Sequence, residues 1–136
     1  MVEHKTQVRV RFAETDQMGV VYHSNYFIWF EIGRTSLLRD AGLPYKKLEE
    51  NGILLPVITA NCNFFKSARY DDMLTIHTKI NEKPRARIHL EYTITNEKQE
   101  KLAEGFTIHS FIRRDGRPVR PPREFKNIMA PYFPDS

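Results

Sequence analysis

Cysteine is nearly absent from this sequence, where Cys62 is the only one. A single cysteine excludes an intramolecular disulfide and any metal or redox motif that needs two cysteines, so we expect a reducing compartment. Long apolar runs are missing as well: no stretch approaches the roughly 20 apolar residues of a membrane-spanning helix. The first residues, MVEHKTQVRVRF, alternate polar and apolar, whereas a secretory signal needs a continuous apolar stretch. We therefore expect a cytoplasmic protein without membrane insertion.

Glycine and proline are also sparse, with 6 and 8 among 136 residues, while hydrophobic residues make up 40% and charged residues 28%. This balance is typical of a folded globular chain and excludes a disordered or fibrous one. A chain of this length can bury one core but has no room for a second. We expect a single domain over residues 1–136.

The charge balance is positive, with a formal net charge of +4. Much of the excess lies in residues 113–126, which contain five Arg and one Lys against two acids. Positive charge favours acidic partners in general, including nucleic acids, anionic membranes and phosphate-bearing small molecules. The segment fits an anion-binding tail and a solvated chain end equally well. No nucleic-acid-binding motif accompanies it, so we expect no nucleic-acid partner.

The N-terminal third combines a strand with helices. Residues 6–12 alternate, which predicts a half-buried strand with Val8, Val10 and Phe12 on its apolar face. Apolar residues then recur at intervals of three and four, which predicts a helix from Ser24 or Asn25 to about residue 41. This helix is rich in aromatic residues and should be buried on most sides. The sequence of residues 44–51 predicts a short second helix.

Beyond residue 52 the apolar period changes to two, which predicts four further strands over residues 54–65, 73–81, 87–95 and 102–113. The links between the last three are short and polar, so those strands should form an antiparallel meander. One strand, a helix and four antiparallel strands predict an α+β domain, a sheet packed around a helix. The polar outer face and the aromatic helix also suggest that a partner subunit completes the structure.

The segment between the first strand and the helix, AETDQMGVVYHSNY, carries the candidate chemistry. A helix N-terminus offers unpaired backbone N–H groups that stabilise an oxyanion, and Asp16 lies just before it. Asp16 could attack a thioester carbonyl directly or act as a general base on water. Acids before a helix are also common as turn and capping residues, and spacing alone favours that interpretation for Glu14, Thr15 and Asp16.

Four motifs bear on the choice between a catalytic and a capping role for Asp16. They are T-D-x-x-G-V-V-Y-H-x-N-Y at residues 15–26, F-E-x-x-R at 30–34, A-R-Y-D-D at 68–72 and D-G-R-P-V-R-P-P at 115–122. Together they resemble the 4-hydroxybenzoyl-CoA thioesterase family, in its acyl-CoA thioesterase branch. The resemblance implies a hot-dog fold, in which a five-stranded antiparallel sheet wraps around one long central helix. It also implies dimers or tetramers with the active site at the dimer interface.

The same resemblance assigns roles to individual residues. It makes Asp16 the catalytic carboxylate and places His23 in the same site, with a backbone N–H near His23 as oxyanion donor. Where many members have a tyrosine, four residues before the catalytic aspartate, this chain has Phe12, so no phenol hydroxyl is available there. Thioester hydrolysis on this pattern needs no metal or redox cofactor.

Acyl-coenzyme A, the implied substrate, carries several phosphates that basic residues would hold. Lys66 and Arg69 follow the second strand, and Arg113 and Arg114 end the fifth, so these are candidate phosphate-binding residues. For any one of them, an ordinary solvated end of a strand is the better explanation. An acyl carrier protein is the alternative carrier of the acyl group.

Several other residues have a structural and a functional interpretation. Glu31 lies in the aromatic helix and is best explained by an ion pair with Arg34, although a helical carboxylate is the catalytic group of some other hot-dog enzymes. The histidines of three different strands are expected on the polar face, where a metal cluster is conceivable but simple exposure is the better explanation; they are His77, His89 and His109.

The sequence thus predicts an oligomeric acyl-CoA thioesterase that depends on Asp16, supported by His23. An acyl-thioester dehydratase on the same fold is an alternative, because that chemistry relies on a histidine acid and base with a carboxylate partner. A non-catalytic acyl-CoA-binding or protein-binding module is another, since a fold alone does not prove catalysis.

Overall fold

The computed structural model describes residues 1–134. The helices are α1 (Asn25–Asp40), α2 (Tyr45–Glu50) and α3 (Arg123–Met129), with 3-10 turns at Phe12–Glu14 and Ala130–Tyr132. The strands are β1 (Val2–Arg9), β2 (Ile53–Leu54), β3 (Val57–Phe64), β4 (Met73–Ile80), β5 (Arg87–Thr95), β6 (Lys101–Ser110) and β7 (Ile112–Arg113). No helix of the described chain is long and apolar enough to cross a membrane.

Five strands form one antiparallel sheet in the order β1-β4-β5-β6-β3. The predicted meander is confirmed, because β4, β5 and β6 are adjacent in sequence and in the sheet. The predicted strand over residues 54–65 divides into β2 and β3 around Pro56, whose missing N–H cannot join a ladder. The short strands β2 and β7 pair separately.

The inner face of the sheet follows the predicted alternation. On β4 the inward side chains Leu74, Ile76, Thr78 and Ile80 are all buried. The matching inward set on β5 is Ile88, Leu90, Tyr92 and Ile94. Their outward neighbours are half-buried or exposed, so one face is dry and the other wet.

Helix α1 begins and ends where the sequence predicts, with Ser24 and Ala41 as flanking residues. The predicted long central helix is a 16-residue helix that packs on β1, β4 and β5, accompanied by two shorter helices. Its inward face buries Tyr26, Trp29 and Phe30. The expectation that α1 is buried on most sides is wrong for a single chain. The apolar side chains on its opposite face are partly exposed: Phe27 38%, Ile28 46% and Ile32 37%.

Two expectations about the sheet faces are wrong. Phe12 is not an inward strand residue: β1 ends at Arg9, and Phe12 lies in the following 3-10 turn, 76% exposed, edge-to-face with Tyr70. His109 is buried and not on the polar face. A bulge opposite Thr95 adds one residue to β6, so that Leu102 and Ala103 are both buried and the odd-numbered residues then point inward.

The basic C-terminal segment is packed onto the rest of the chain. Helix α3 buries Phe125 and Met129, and the Phe125 ring lies edge-to-face with Phe111 at 5.1 Å. Lys47 on α2 forms an ion pair with Glu124 at 2.5 Å. Residues 113–126 therefore include an anchored helix and are not a free tail.

Candidate active site

A tight hairpin over residues 15–21 carries Asp16. Thr15 and Val21 form an antiparallel bridge, and the Asp16 N–H donates to the Val20 carbonyl at 2.8 Å. The turn closes when the Gly19 N–H donates to the Asp16 carbonyl at 3.0 Å, with Gly19 at φ +78°. Glycine adopts this left-handed conformation without a Cβ clash, which explains the D-x-x-G spacing.

The Asp16 side chain is exposed and bonds only within its own turn. Its Oδ1 accepts the Met18 N–H at 2.8 Å and the Val20 N–H at 3.3 Å. The interpretation of Asp16 as a turn residue is thus correct for one oxygen. The other, Oδ2, has no hydrogen-bond partner within residues 1–134. Asp16 therefore combines a fixed backbone with one carboxylate oxygen that is available for chemistry.

The first turn of α1 supplies hydrogen-bond donors beside this hairpin. The N–H groups of the first three helical residues already donate to carbonyls three residues earlier, at 3.0–3.3 Å. The N–H groups of His23 and Ser24 have no acceptor in the described chain. They lie at the positive end of the helix dipole, so they are suited to stabilise an oxyanion.

The His23 ring is exposed and lies between two aromatic rings, Tyr22 at 4.4 Å and Phe64 at 6.4 Å between centroids. Beneath it is a hollow of about 300 Å³. Its lining residues are Val21, His23, Tyr26, Phe64, Phe65, Lys66 and Ser67. The hollow thus joins the start of α1 to the end of β3, although Asp16 is not among its lining residues.

Tyr26 forms the floor of this hollow. Its hydroxyl accepts the Ala68 N–H at 3.1 Å, and burial raises the pKa of the phenol above its usual value. The hydroxyl therefore stays protonated at neutral pH. It ties α1 to the loop after β3, and the same loop accepts the Val21 N–H at the Ala68 carbonyl, at 2.9 Å.

A second hollow of about 450 Å³ adjoins the first and shares Lys66 and Ser67 with it. Arg69 and Lys98 also line it, together with the carboxylates of Asp72 and Glu100. Lys66 is ion-paired with Glu100. Lys66 and Arg69, two of the predicted phosphate-binding residues, therefore lie in one hollow, with acidic neighbours that lower its positive potential.

Arg113 and Arg114 lie elsewhere. The Lys66 backbone N–H donates to the Leu102 carbonyl at the start of β6, at 3.2 Å, whereas Arg113 follows the end of that strand. The ten residues of β6 separate them by about 30 Å at the usual strand rise. Arg114 donates to the Glu49 carbonyl at 2.6 Å. Within one chain, Arg113 cannot bind the same phosphate as Lys66 and Arg69.

The predicted pair of Glu31 and Arg34 is wrong. Glu31 is exposed on the outer face of α1 and needs no partner, whereas Arg34 turns inward. The Arg34 Nη1 lies 3.4 Å from the His109 Nε2, which the Thr107 hydroxyl also approaches at 2.9 Å. Burial together with the Arg34 charge lowers the His109 pKa to about 4.

The other two strand histidines have ordinary surroundings. His77 contacts Glu3 at 2.7 Å, and the His89 ring lies edge-to-face with Phe106. No group of three or more His, Cys, Asp or Glu side chains within residues 1–134 could hold a metal ion.

Glu14 is the residue at this site that the sequence did not mark as more than a capping residue. It is only 5% exposed, and its carboxylate contacts Trp29, fifteen residues away. Acidic side chains in short turns are normally solvated. No local pattern shows that this one is buried, because its partner lies on a different element.

The antiparallel sheet, the helix packed on it and the acidic turn ahead of that helix define a hot-dog protein of the thioesterase class. The family model described as the thioesterase-like superfamily matches residues 10–129. The chain belongs to the thioesterase-like superfamily. The predicted resemblance is thereby confirmed.

Individual relatives are enzymes that cleave thioesters. The acyl-CoA thioester hydrolase YbgC of Escherichia coli O157:H7 is 32% identical over 92% of this chain and 92% of its own. A DHNA-CoA thioesterase from Staphylococcus aureus has a TM-score of 0.85 and 36% identity over 99% of this chain and 86% of its own. The 4-hydroxybenzoyl-CoA thioesterase from Pseudomonas sp. strain CBS-3 has a TM-score of 0.84 and 25% identity over 94% of this chain and 99% of its own.

Proposed function

We propose that this thioesterase hydrolyses the thioester of acyl-coenzyme A to a free acid and coenzyme A, with Asp16 as its catalytic residue. One observation carries the assignment: the free Oδ2 of Asp16 lies in a hydrogen-bonded turn that leads into the unpaired N–H groups of His23 and Ser24. A carboxylate and an oxyanion site are the two parts that thioester hydrolysis requires. The names of the relatives support the substrate class.

Two routes use these parts. In the first, the Asp16 oxygen attacks the carbonyl carbon, the C–S bond breaks, coenzyme A leaves as the thiolate, and water hydrolyses the resulting mixed anhydride. In the second, Asp16 takes a proton from a water molecule that attacks the same carbon. In both, the carbonyl oxygen becomes negative and is stabilised by the N–H groups at the start of α1. The position of His23 beside the hollow supports a role in holding the acyl group.

The two adjoining hollows support a binding mode in which different parts of acyl-coenzyme A occupy each of them. The hollow under His23, whose lining includes Val21, Phe64 and Phe65, suits the acyl group and the end of the pantetheine arm. Lys66 and Arg69 in the second hollow are positioned for phosphates. Arg113 would contact a different part of the substrate, or a substrate bound to a neighbouring subunit. Both hollows open to solvent, so an acyl carrier protein is an alternative carrier.

We also propose that the chain self-associates, as a dimer or a tetramer. Strand β3 is an edge of the sheet, and an unpaired edge is a template for another strand. Phe64 at its end contacts both His23 and Tyr26, so a partner on this edge would border the active site. The exposed apolar face of α1 offers a second contact, in which α1 would become the central helix of the assembly.

The test measures thiol release from short, long and aromatic acyl-CoA thioesters by wild type, Asp16→Ala and Asp16→Asn. Asp16→Asn keeps an acceptor for the turn but cannot act as nucleophile or base, so its kcat should fall roughly 10²–10⁴-fold. Asp115→Asn is a matched control, because Asp115 is also an exposed turn aspartate whose Oδ1 accepts a local N–H. Burial raises the pKa of the Cys62 thiol to about 11, which keeps its background reaction with the thiol reagent slow.

Three other results would change the proposed function or the role of Asp16. Full activity in folded Asp16→Asn would remove Asp16 from the chemistry. If His23→Ala alone abolished activity and the wild type dehydrated hydroxyacyl-CoA, the dehydratase alternative would be correct. Tight binding of acyl-CoA without release of thiol would indicate a non-catalytic module.

A further inference from the structure

Glu14 places a buried carboxylate two residues before Asp16. Its Oε1 accepts the Arg11 backbone N–H at 2.7 Å, and its Oε2 accepts the Trp29 indole N–H at 3.1 Å. The Arg11 guanidinium lies 3.6 Å from Oε2, but that side chain is 74% exposed. A buried carboxylate is costly unless its oxygens are bonded, and here both oxygens are.

The backbone of Glu14 makes a second set of contacts. Its carbonyl accepts the Tyr22 N–H at 2.9 Å and an Asn25 side-chain N–H at 3.0 Å. Tyr22 lies on the returning side of the Asp16 hairpin, and Asn25 is the first residue of α1. One residue therefore joins the outgoing chain, the returning chain and the helix.

The hairpin has two anchors. On one side, Val20 and Val21 pair with Arg69 and Ala68 in the loop after β3. On the other side is Glu14. Within residues 1–134, every hydrogen bond between residues 11–21 and α1 involves Glu14. The Asp16 carboxylate itself bonds only within its turn, so it cannot fix its own position relative to the helix.

We propose that Glu14 is a positioning residue, which holds the Asp16 carboxylate at a fixed distance from the oxyanion-binding N–H groups at the start of α1. This inference rests on the proposed thioesterase activity. Two groups that act on one carbonyl must be aligned closely, and a shift of about 1 Å in such an alignment can cost roughly 100-fold in rate. Residues that orient metal ligands in enzymes contribute about 10–100-fold, and we expect an effect of the same order here.

Glu14→Gln is the informative substitution. It keeps the size of the side chain but replaces one acceptor oxygen by an NH₂ group, which must then face either the Arg11 N–H or the Trp29 N–H. One of these two bonds is lost. Trp29→Phe removes the indole donor and therefore the Trp29 bond specifically. Glu50→Gln, an exposed glutamate on α2, is the matched control.

The experiment measures kcat and KM for acyl-CoA hydrolysis by wild type, Asp16→Asn, Glu14→Gln, Trp29→Phe, the double variant and Glu50→Gln. Each preparation is checked for folding by circular dichroism. We expect Glu14→Gln to lose about 10–100-fold in kcat while KM changes less than about threefold. The double variant should lose no more than the worse single variant, because without the indole donor the amide oxygen can face the Arg11 N–H. A merely structural role would lower the folded fraction and leave the kcat of the folded protein unchanged.

Trp29 is the only tryptophan in the chain, so its fluorescence reports on this contact directly. Glu14→Gln should change the emission of Trp29, and Glu50→Gln should not. An active wild type with Glu14→Gln at full kcat overturns this inference and leaves the thioesterase assignment in place. A wild type that hydrolyses no acyl-CoA overturns the proposed function, and this inference with it.

Discussion

At the scale of single residues, His109 illustrates how surroundings fix a protonation state. Its Nδ1 lies 3.0 Å from the Leu55 carbonyl, which can only accept, so Nδ1 carries the proton. Its Nε2 is then the acceptor for Arg34 and for the Thr107 hydroxyl, which also meets the Tyr92 hydroxyl at 2.6 Å. A second proton on this ring would face the Arg34 guanidinium in a buried site.

His109 should therefore make the protein sensitive to acid. Its native pKa of about 4 lies below the unfolded value, which is about 6.5. The contribution of His109 to the free energy of unfolding is fully present above about pH 6.5 and is lost as pH drops toward 4. In that range the unfolded chain binds a proton at this histidine that the native chain does not bind. The loss amounts to roughly 3 kcal/mol at pH 4. Urea unfolding between about pH 7.5 and pH 4 measures this loss.

The carboxylates also titrate in this range, so the comparison must be between variants. His109→Gln should show a shallower decline in unfolding free energy with falling pH than the wild type. His89→Gln, at an exposed position, should follow the wild-type curve. Identical slopes for His109→Gln and the wild type would show that His109 titrates normally in the native state.

At the scale of elements, the contact between α1 and β4 depends on a missing side chain. A Cβ on Gly33 would lie 2.4 Å from the Thr78 Oγ1 and 2.8 Å from the Ile76 Cγ2. Glycine lowers helix propensity, so its position in the middle of α1 predicts that another backbone approaches closely at this point. A backbone approach is wrong, because the nearest atoms belong to side chains of β4.

Gly33→Ala should destabilise the protein by about 1–3 kcal/mol, because overpacking outweighs the gain in helix propensity of about 1 kcal/mol. The midpoint of urea unfolding measures the change. Thr78→Ala removes the nearest clashing atom, which is a buried hydroxyl without a hydrogen-bond partner in the described chain. The double variant should therefore be more stable than the sum of the single changes predicts. Strict additivity would mean that the clash lies elsewhere.

At the scale of the whole molecule, a single chain leaves large apolar side chains of β3 and of the outer face of α1 uncovered. Val57, Ile58 and Phe64 on β3 are 44–51% exposed, and the outer face of α1 exposes further large side chains. Edge strands that stay unpaired normally carry charge or proline. Between residues 57 and 64, β3 has neither. This edge is therefore the surface on which we expect a second copy to pair.

Ile58→Lys should shift the protein toward smaller species, because a charge at this edge opposes strand pairing between copies. Size-exclusion chromatography with light scattering measures the mass. Tyr132→Lys is the control, since Tyr132 is also exposed, at 40%, but lies in the C-terminal 3-10 turn. An unchanged mass for Ile58→Lys would exclude β3 as the main contact. A thioesterase rate that fell together with the mass would place the active site at this interface.

The sequence by itself determined the main elements and indicated the candidate reactive segment. Alternation and helical periodicity are local consequences of burying one face, so α1, the β4-β5-β6 meander and the inward residues of β4 and β5 followed from the pattern alone. The D-x-x-G turn of Asp16 is local too, because Gly19 must adopt a positive φ.

Only the tertiary structure decided what depends on contacts between distant residues. The burial of Glu14 against Trp29 joins two elements, and the inward turn of Arg34 follows from the position of His109. The position of His109 follows in turn from a bulge in β6, where one extra residue exchanges the two faces. The separation of Arg113 from Lys66 likewise depends on the length and direction of β6. Pattern in the sequence fixes which face of an element is apolar, whereas register and packing fix which side chains meet.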